Sequence, residues 1–232
     1  MKTILVTGCV LVFLVFFCSG SAEETHQEAV LPDNTWTGTW TAENETLFIE
    51  QNGSEISGSY VPFDLDNYDT GRLEGSLSED GKIFSGIWTD SGSMDLTLSE
   101  DMMSFSGNGL INPEGNMTEP YTYEATGTRD GEVTDTKNPW TGSWITPRKT
   151  YNLTQDGVSI TGTNKPLPGS GDEPGVFEGT VQDDGKAMSV NWTETGNFVF
   201  TLSDDGTSFT GTYTYELDPS SETGYWNATK TA

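Results

Sequence analysis

Cysteine, histidine and basic charge are almost missing from this sequence. Its two cysteines, Cys9 and Cys18, both fall in an apolar run at the start, so nothing after that run can form a disulfide. One histidine, His26, stands in a polar stretch just beyond, which excludes a Ser-His-Asp triad and a His-rich zinc site from the body of the chain. Ten Lys and Arg residues face 36 Asp and Glu, a formal charge of −26. Such a surface repels the nucleic-acid backbone and anionic membranes, and it suits cations, basic partners or a salty medium. A solvated acidic exterior with no partner gives the same composition. A second long apolar run is absent, as are a helical period and a phosphate-binding glycine loop. Carboxylates are so plentiful that no pair by itself marks a glycosidase, and the inward strand phases are apolar. The expectation is a non-enzymatic protein without a cofactor, calcium being the one open candidate.

The apolar run is a targeting segment. Lys2 supplies the positive start, residues 4–17 the apolar stretch, and Gly20-Ser21-Ala22 a small-residue cleavage site. About 14 apolar residues fall short of the ~20 a spanning helix needs, so no membrane span is expected. Residues 1–22 read as a signal peptide and 23–34 as a polar spacer, placing the protein outside the cell or at its surface. Lipid attachment at Cys18 is the alternative, with the bulky Phe17 standing against it.

The remainder is written twice. Shifting the chain by 104 lays residues 36–107 on 140–211 without a gap, and 27 of the 72 positions are identical. "TWTGTWTAENETLFIEQNGSEISGSY" thus returns as "PWTGSWITPRKTYNLTQDGVSITGTN". Within each copy a phrase of apolar, x, Gly, x, apolar recurs, as in Trp36-Thr37-Gly38-Thr39-Trp40 and Phe84-Ser85-Gly86-Ile87-Trp88. A period of two means strands with one apolar face. Turn dipeptides such as Asn52-Gly53, Asp80-Gly81, Asp156-Gly157, Asp184-Gly185 and Asp205-Gly206 punctuate them. The first copy predicts eight strands, near 36–42, 47–51, 56–61, 72–78, 83–89, 93–99, 104–110 and 121–128. Eight sequential amphipathic strands avoid open edges by closing on themselves. The predicted fold class is all-β: two tandem up-and-down antiparallel β-barrels, 35–128 and 139–232, joined by a linker at 129–138.

The Gly-x-Trp on the first strand of each copy (Gly38-Thr39-Trp40, Gly142-Ser143-Trp144) resembles the lipocalin signature. "NGSEISGSY" and "SGIWT" resemble avidin strand phrases. The resemblance implies a calycin-type eight-stranded barrel with a small ligand at its mouth. Avidins carry a biotin-contacting Asn two residues after the first-strand Trp, where this sequence has Ala42 and Thr146. Tyr60 matches an avidin contact, while its counterpart in the second copy is Asn164. The resemblance therefore carries the fold rather than biotin.

In such a barrel the loops near 43–46, 62–71, 90–92 and 111–120 share one end, as do 146–149, 165–175 and 215–224, and long loops mark a mouth. Tyr60, Trp88 and Trp192 are the predicted lining of a site for a small molecule or glycan, provided the indoles do not fill the space themselves. Arg148, Lys149 and Lys165 gather at the same end, either to receive an anion or to dock on the acidic loop of the first copy. In that loop Asp64, Asp66 and Asp69 offer oxygens to a hard cation, although their spacing departs from the EF-hand pattern. Six sequons, at Asn44, Asn52, Asn116, Asn152, Asn191 and Asn227, fall in loops or on outward phases, compatible with a glycoprotein. The polar outward faces predict a monomer. The alternative to ligand binding is a structural or adhesive surface protein with filled barrels.

Overall fold

A computed structural model describes residues 35–182, 184–218 and 223–231. The expected signal peptide and spacer, with Cys9, Cys18 and His26, lie outside the described residues. Every regular element is a strand, and all pairings are antiparallel within one fifteen-stranded sheet. No helix among the described residues is long and apolar enough to cross a membrane.

The first copy supplies β1 (Gly38–Ala42), β2 (Glu45–Asn52), β3 (Glu55–Pro62), β4 (Gly71–Leu77), β5 (Ile83–Leu98), β6 (Ser104–Ile111) and β7 (Tyr121–Asp130). The second supplies β8 (Gly142–Ile145), β9 (Lys149–Asp156), β10 (Ser159–Pro166), β11 (Gly175–Val181), β12 (Ala187–Leu202), β13 (Ser208–Tyr215), β14 (Gly224–Tyr225) and β15 (Ala228–Lys230). The alternation read from the sequence is the alternation of burial: in β5, residues 84, 88, 90, 92, 94, 96 and 98 are buried while the odd positions are not.

That unbroken phase overturns one expectation. The predicted loop near 90–92 does not form; residues 83–98 run as one sixteen-residue strand, and so does β12. The two pair along their length, from Ile83↔Thr201 to Thr97↔Ala187. On the outer edge of β5, β4 pairs with residues 84–90 and β6 with 92–98. On the outer edge of β12, β11 pairs with 188–194 and β13 with 196–202. The pairings therefore close two circuits that share the β5–β12 ribbon. Ring one runs β5-β4-β3-β2-β1-β15-β13-β12, and ring two runs β5-β6-β7-β8-β9-β10-β11-β12. The result is one continuous barrel-like sheet in which each ring draws strands from both copies, in place of a separate sheet for each copy. The changeover segments, Asp90-Ser91-Gly92 and Glu194-Thr195-Gly196, lack the Asn-Gly or Asp-Gly dipeptide that folds the β2–β3, β4–β5, β9–β10, β11–β12 and β12–β13 hairpins, so that turn signal is missing there.

Each ring holds its own core. Ring one encloses Trp36, Trp40, Leu47, Phe84, Phe198, Phe200 and Phe209 among others; ring two encloses Leu96, Phe105, Trp140, Trp144, Phe177 and Val190. The doubled Trp-Thr-Gly-x-Trp phrase seals the end of each ring away from the long loops. Trp40 Nε1 donates to the Trp36 carbonyl and Trp144 Nε1 to the Trp140 carbonyl, both at 2.9 Å. A cation covers each inner indole, and it comes from the opposite copy. Lys230 Nζ lies 5.1 Å from the Trp40 ring and the Arg129 guanidinium 4.1 Å from Trp144. Arg129 belongs to β7 and is buried, so the linker expected at 129–138 does not begin at this residue.

Candidate functional site

Because the rings share a ribbon whose single inner face serves both, their loop-bearing ends meet at its middle. The changeover residues set the geometry. Asp90 and Glu194 are equivalent in the two copies, pair directly across β5 and β12, and both point inward, 4% and 1% exposed. Beside them Trp88 packs over Gly196 and Trp192 over Gly92. A Cβ on either glycine would come within 2.5 Å of the indole, so only glycine admits these rings.

Around this pair the loops bring further acids. Asp69, from the β3–β4 loop, and Glu173, from the β10–β11 loop, place carboxylate oxygens within 4.8 Å of one another and of Asp90. The Tyr60 hydroxyl donates to Asp90 Oδ1. Burial pushes the Asp90 carboxyl well above the ordinary range, and the neighbouring Glu173 and Asp69 push it further. Glu173 is raised in the same way by burial and then by Glu194. Glu45, at the start of β2, is raised to about 7 by burial. Glu194 is raised to about 7 by burial, against the pull of Lys149. Its Oε1 accepts from Lys149 Nζ and from Asn164 Nδ2 (2.9 Å), while Oε2 has no partner among the described residues.

Two cavities flank this ribbon. One, of about 170 Å³ in ring one, is walled by Tyr60, Trp88, Tyr213 and Trp226, with Asp90 and Glu173 in its lining. The other, of about 310 Å³, lies on the ring-two side and is lined by Tyr121, Tyr123, Tyr151, Arg148, Lys149 and Asp172.

The residues singled out in the sequence fall into three groups. Tyr60 and Trp88 line the ring-one cavity and Arg148 and Lys149 the other. Trp192 is buried against Gly92 and is absent from both linings, and Lys165 is exposed on β10 and is absent from them as well. Arg148 binds Asp172 through Nε (2.9 and 3.0 Å) and reaches Asn67 Oδ1 (3.1 Å) and the Asn67 carbonyl (3.0 Å). It clasps the acidic loop of the first copy to a loop of the second. Of the acidic trio, only Asp69 joins a carboxylate cluster. Asp64 holds its own loop through Asp66 N and Asn67 Nδ2, and Asp66 accepts from the Tyr121 hydroxyl. All six sequon asparagines are exposed.

Asp90, Glu173, Glu194 and Glu45 were missed by the sequence reading. A signal existed for two of them: Asp90 and Glu194 occupy the inward phase of otherwise apolar runs, where a charge is costly unless a site requires it. Glu173 is placed by loop packing, which no spacing reveals. Comparisons with family models, with curated proteins and with solved structures each find no match for this chain, so the functional reading rests on the site's own chemistry.

Proposed function

We propose that this is a secreted or surface-exposed, non-catalytic binding protein that takes a small ligand where the loop-bearing ends of the two rings meet. The observation that carries the reading is the 170 Å³ cavity, walled by Tyr60, Trp88, Tyr213 and Trp226 and floored by the buried Asp90 carboxyl with the half-buried Glu173 beside it, in a molecule whose opposite ends are sealed by indoles. Small-molecule sites have this make-up: mostly aromatic walls and a few convergent polar groups. Tyr and Trp supply stacking area with a polar handle. The carboxyls supply hydrogen bonds and charge, and the reading asks no reaction of them. The calycin resemblance of the two Gly-x-Trp phrases supports it, together with the closed circuits of eight strands.

Trp88 is the internal reporter, since its indole N–H donates to the Thr214 carbonyl (3.2 Å) at the cavity wall. Titration of the full mature chain with a library of small amines, alcohols, sugars and acids should shift Trp fluorescence and raise the melting temperature for one class. Silence from the whole library, in a protein that melts cooperatively, would favour the structural or adhesive alternative instead.

A further inference from the structure

The two copies diverge at the junction in a way that identifies the ligand's charge, given the reading of that junction as a binding site. With the shift of 104, Glu45 corresponds to Lys149, Tyr60 to Asn164, Asp69 to Glu173 and Asp90 to Glu194. Glu45 and Lys149 open equivalent strands, paired with Pro62 and Pro166. In ring two the buried carboxylate Glu194 meets an ammonium built into the chain, Lys149 Nζ, and an amide from Asn164. In ring one the equivalent carboxylate, Asp90, receives only the Tyr60 hydroxyl on Oδ1; no described residue bonds Oδ2. The position that would supply the ammonium holds Glu45, a further acid.

Ring one thus has the carboxylate without its cation, and it has a cavity in that place. The lining contains Glu45, Asp69, Asp90 and Glu173 and neither lysine nor arginine. Buried carboxylates are costly unless paired, and in this cavity a pairing cation has to come from outside or be replaced by protons. The walls specify the kind of cation. Indole and phenol faces attract an ammonium that carries apolar substituents. A hard metal ion takes six or more oxygens and gains nothing from aromatic faces. The volume of about 170 Å³ is near the ~150 Å³ that admits one six-membered ring.

We propose that the ring-one cavity binds a small organic ammonium ion, its charge on Asp90 with Glu173 and Asp69 alongside, and its apolar part against Trp88, Tyr213 and Trp226. Lys149 is the covalent counterpart of that ligand in ring two.

The test titrates the full mature chain at about pH 8 by calorimetry and Trp fluorescence with choline and phenethylamine. Their neutral isosteres, dimethylbutanol and phenylethanol, and calcium chloride run in parallel. The expected result is saturable binding of at least one ammonium, about tenfold tighter than its isostere. Glu45→Lys, which installs the second copy's ammonium, should abolish that binding without lowering the melting temperature. Asp90→Asn should weaken it about tenfold and serves as the second variant should Glu45→Lys fold poorly. Equal affinity for the neutral isosteres would overturn the ammonium assignment and leave the binding reading standing. Calcium that stabilises the chain and is not displaced by either amine would overturn it in favour of a metal site. Failure of every compound, here and in the wider library, would overturn both.

Discussion

At Gly71 a single methyl group would reach the heart of the site. Its Cβ would lie 1.9 Å from Asp90 Oδ1 and 2.3 Å from the Tyr60 hydroxyl, a clash with two buried polar groups. Gly71→Ala should therefore cost about 1–3 kcal/mol, the range of overpacking, and lower the melting temperature by several degrees. An unchanged melting temperature would mean that the pair moves aside freely. The cations over the repeated indoles make a second comparison. Arg129 donates from Nε to the Met102 carbonyl (3.0 Å), from Nη1 to Thr141 (2.9 Å) and from Nη2 to Pro139, besides covering Trp144. The Lys230 ammonium covers Trp40 and donates once, to the Thr35 carbonyl (2.8 Å). Removing a donor from a buried carbonyl costs about 1–3 kcal/mol each. Arg129→Met should destabilise the chain clearly more than Lys230→Met in chemical denaturation; equal effects would mean that the ring contact alone matters.

The element that decides the architecture is the β5–β12 ribbon. Ring one is built from residues 38–90 with 195–230, and ring two from 91–130 with 142–194, so neither copy closes a ring alone. This is an exchange of halves between two repeats, made inexpensive because the chain tethers them and little loop entropy is lost. A protease site inserted between Gly131 and Val133 tests it. After cleavage the two fragments should co-elute at the volume of the uncut chain in gel filtration and separate only in denaturant. Fragments that separate under native conditions, each still folded, would show that a copy can close by itself.

For the whole molecule, the notable quantity is how many carboxyls it withdraws from water: Asp90 and Glu194 are buried, Glu45 and Glu173 half-buried. Glu45, Asp90, Glu173 and Glu194 are all raised by burial, with Asp69 raised beside them and Lys149 and Arg148 as the opposing cations. The folded chain holds protons there that the unfolded chain would release. For Glu45 and Glu194 that contribution to stability is complete below about pH 4.5 and is lost as pH rises through about 7. At ~1.4 kcal/mol per unit, Glu45 alone accounts for about 3 kcal/mol. Calorimetry from about pH 5 to pH 8 should show a falling melting temperature, with Glu45→Gln flattening the slope. A rise toward pH 8 would mean that the carboxyls are ionised and paired. An ammonium ligand should oppose the fall, because it stabilises the ionised form.

The sequence by itself determined the strands, their inward faces and the duplication. These follow from a period of two, from turn dipeptides and from repeated wording, all of which are local. Trp40, Trp144, Tyr60 and Trp88 were legible as buried for the same reason. What the tertiary structure decided is partnership. Asp90-Ser91-Gly92 can turn back or run on, at nearly the same local cost, and the choice is made by which strand offers the free edge. Once β5 runs on to meet β12, Asp90 and Glu194 face each other, the loops with Asp69 and Glu173 converge, and two mouths become one junction. That convergence depends on contacts more than 100 residues apart, and a reading of neighbours along the chain cannot register it.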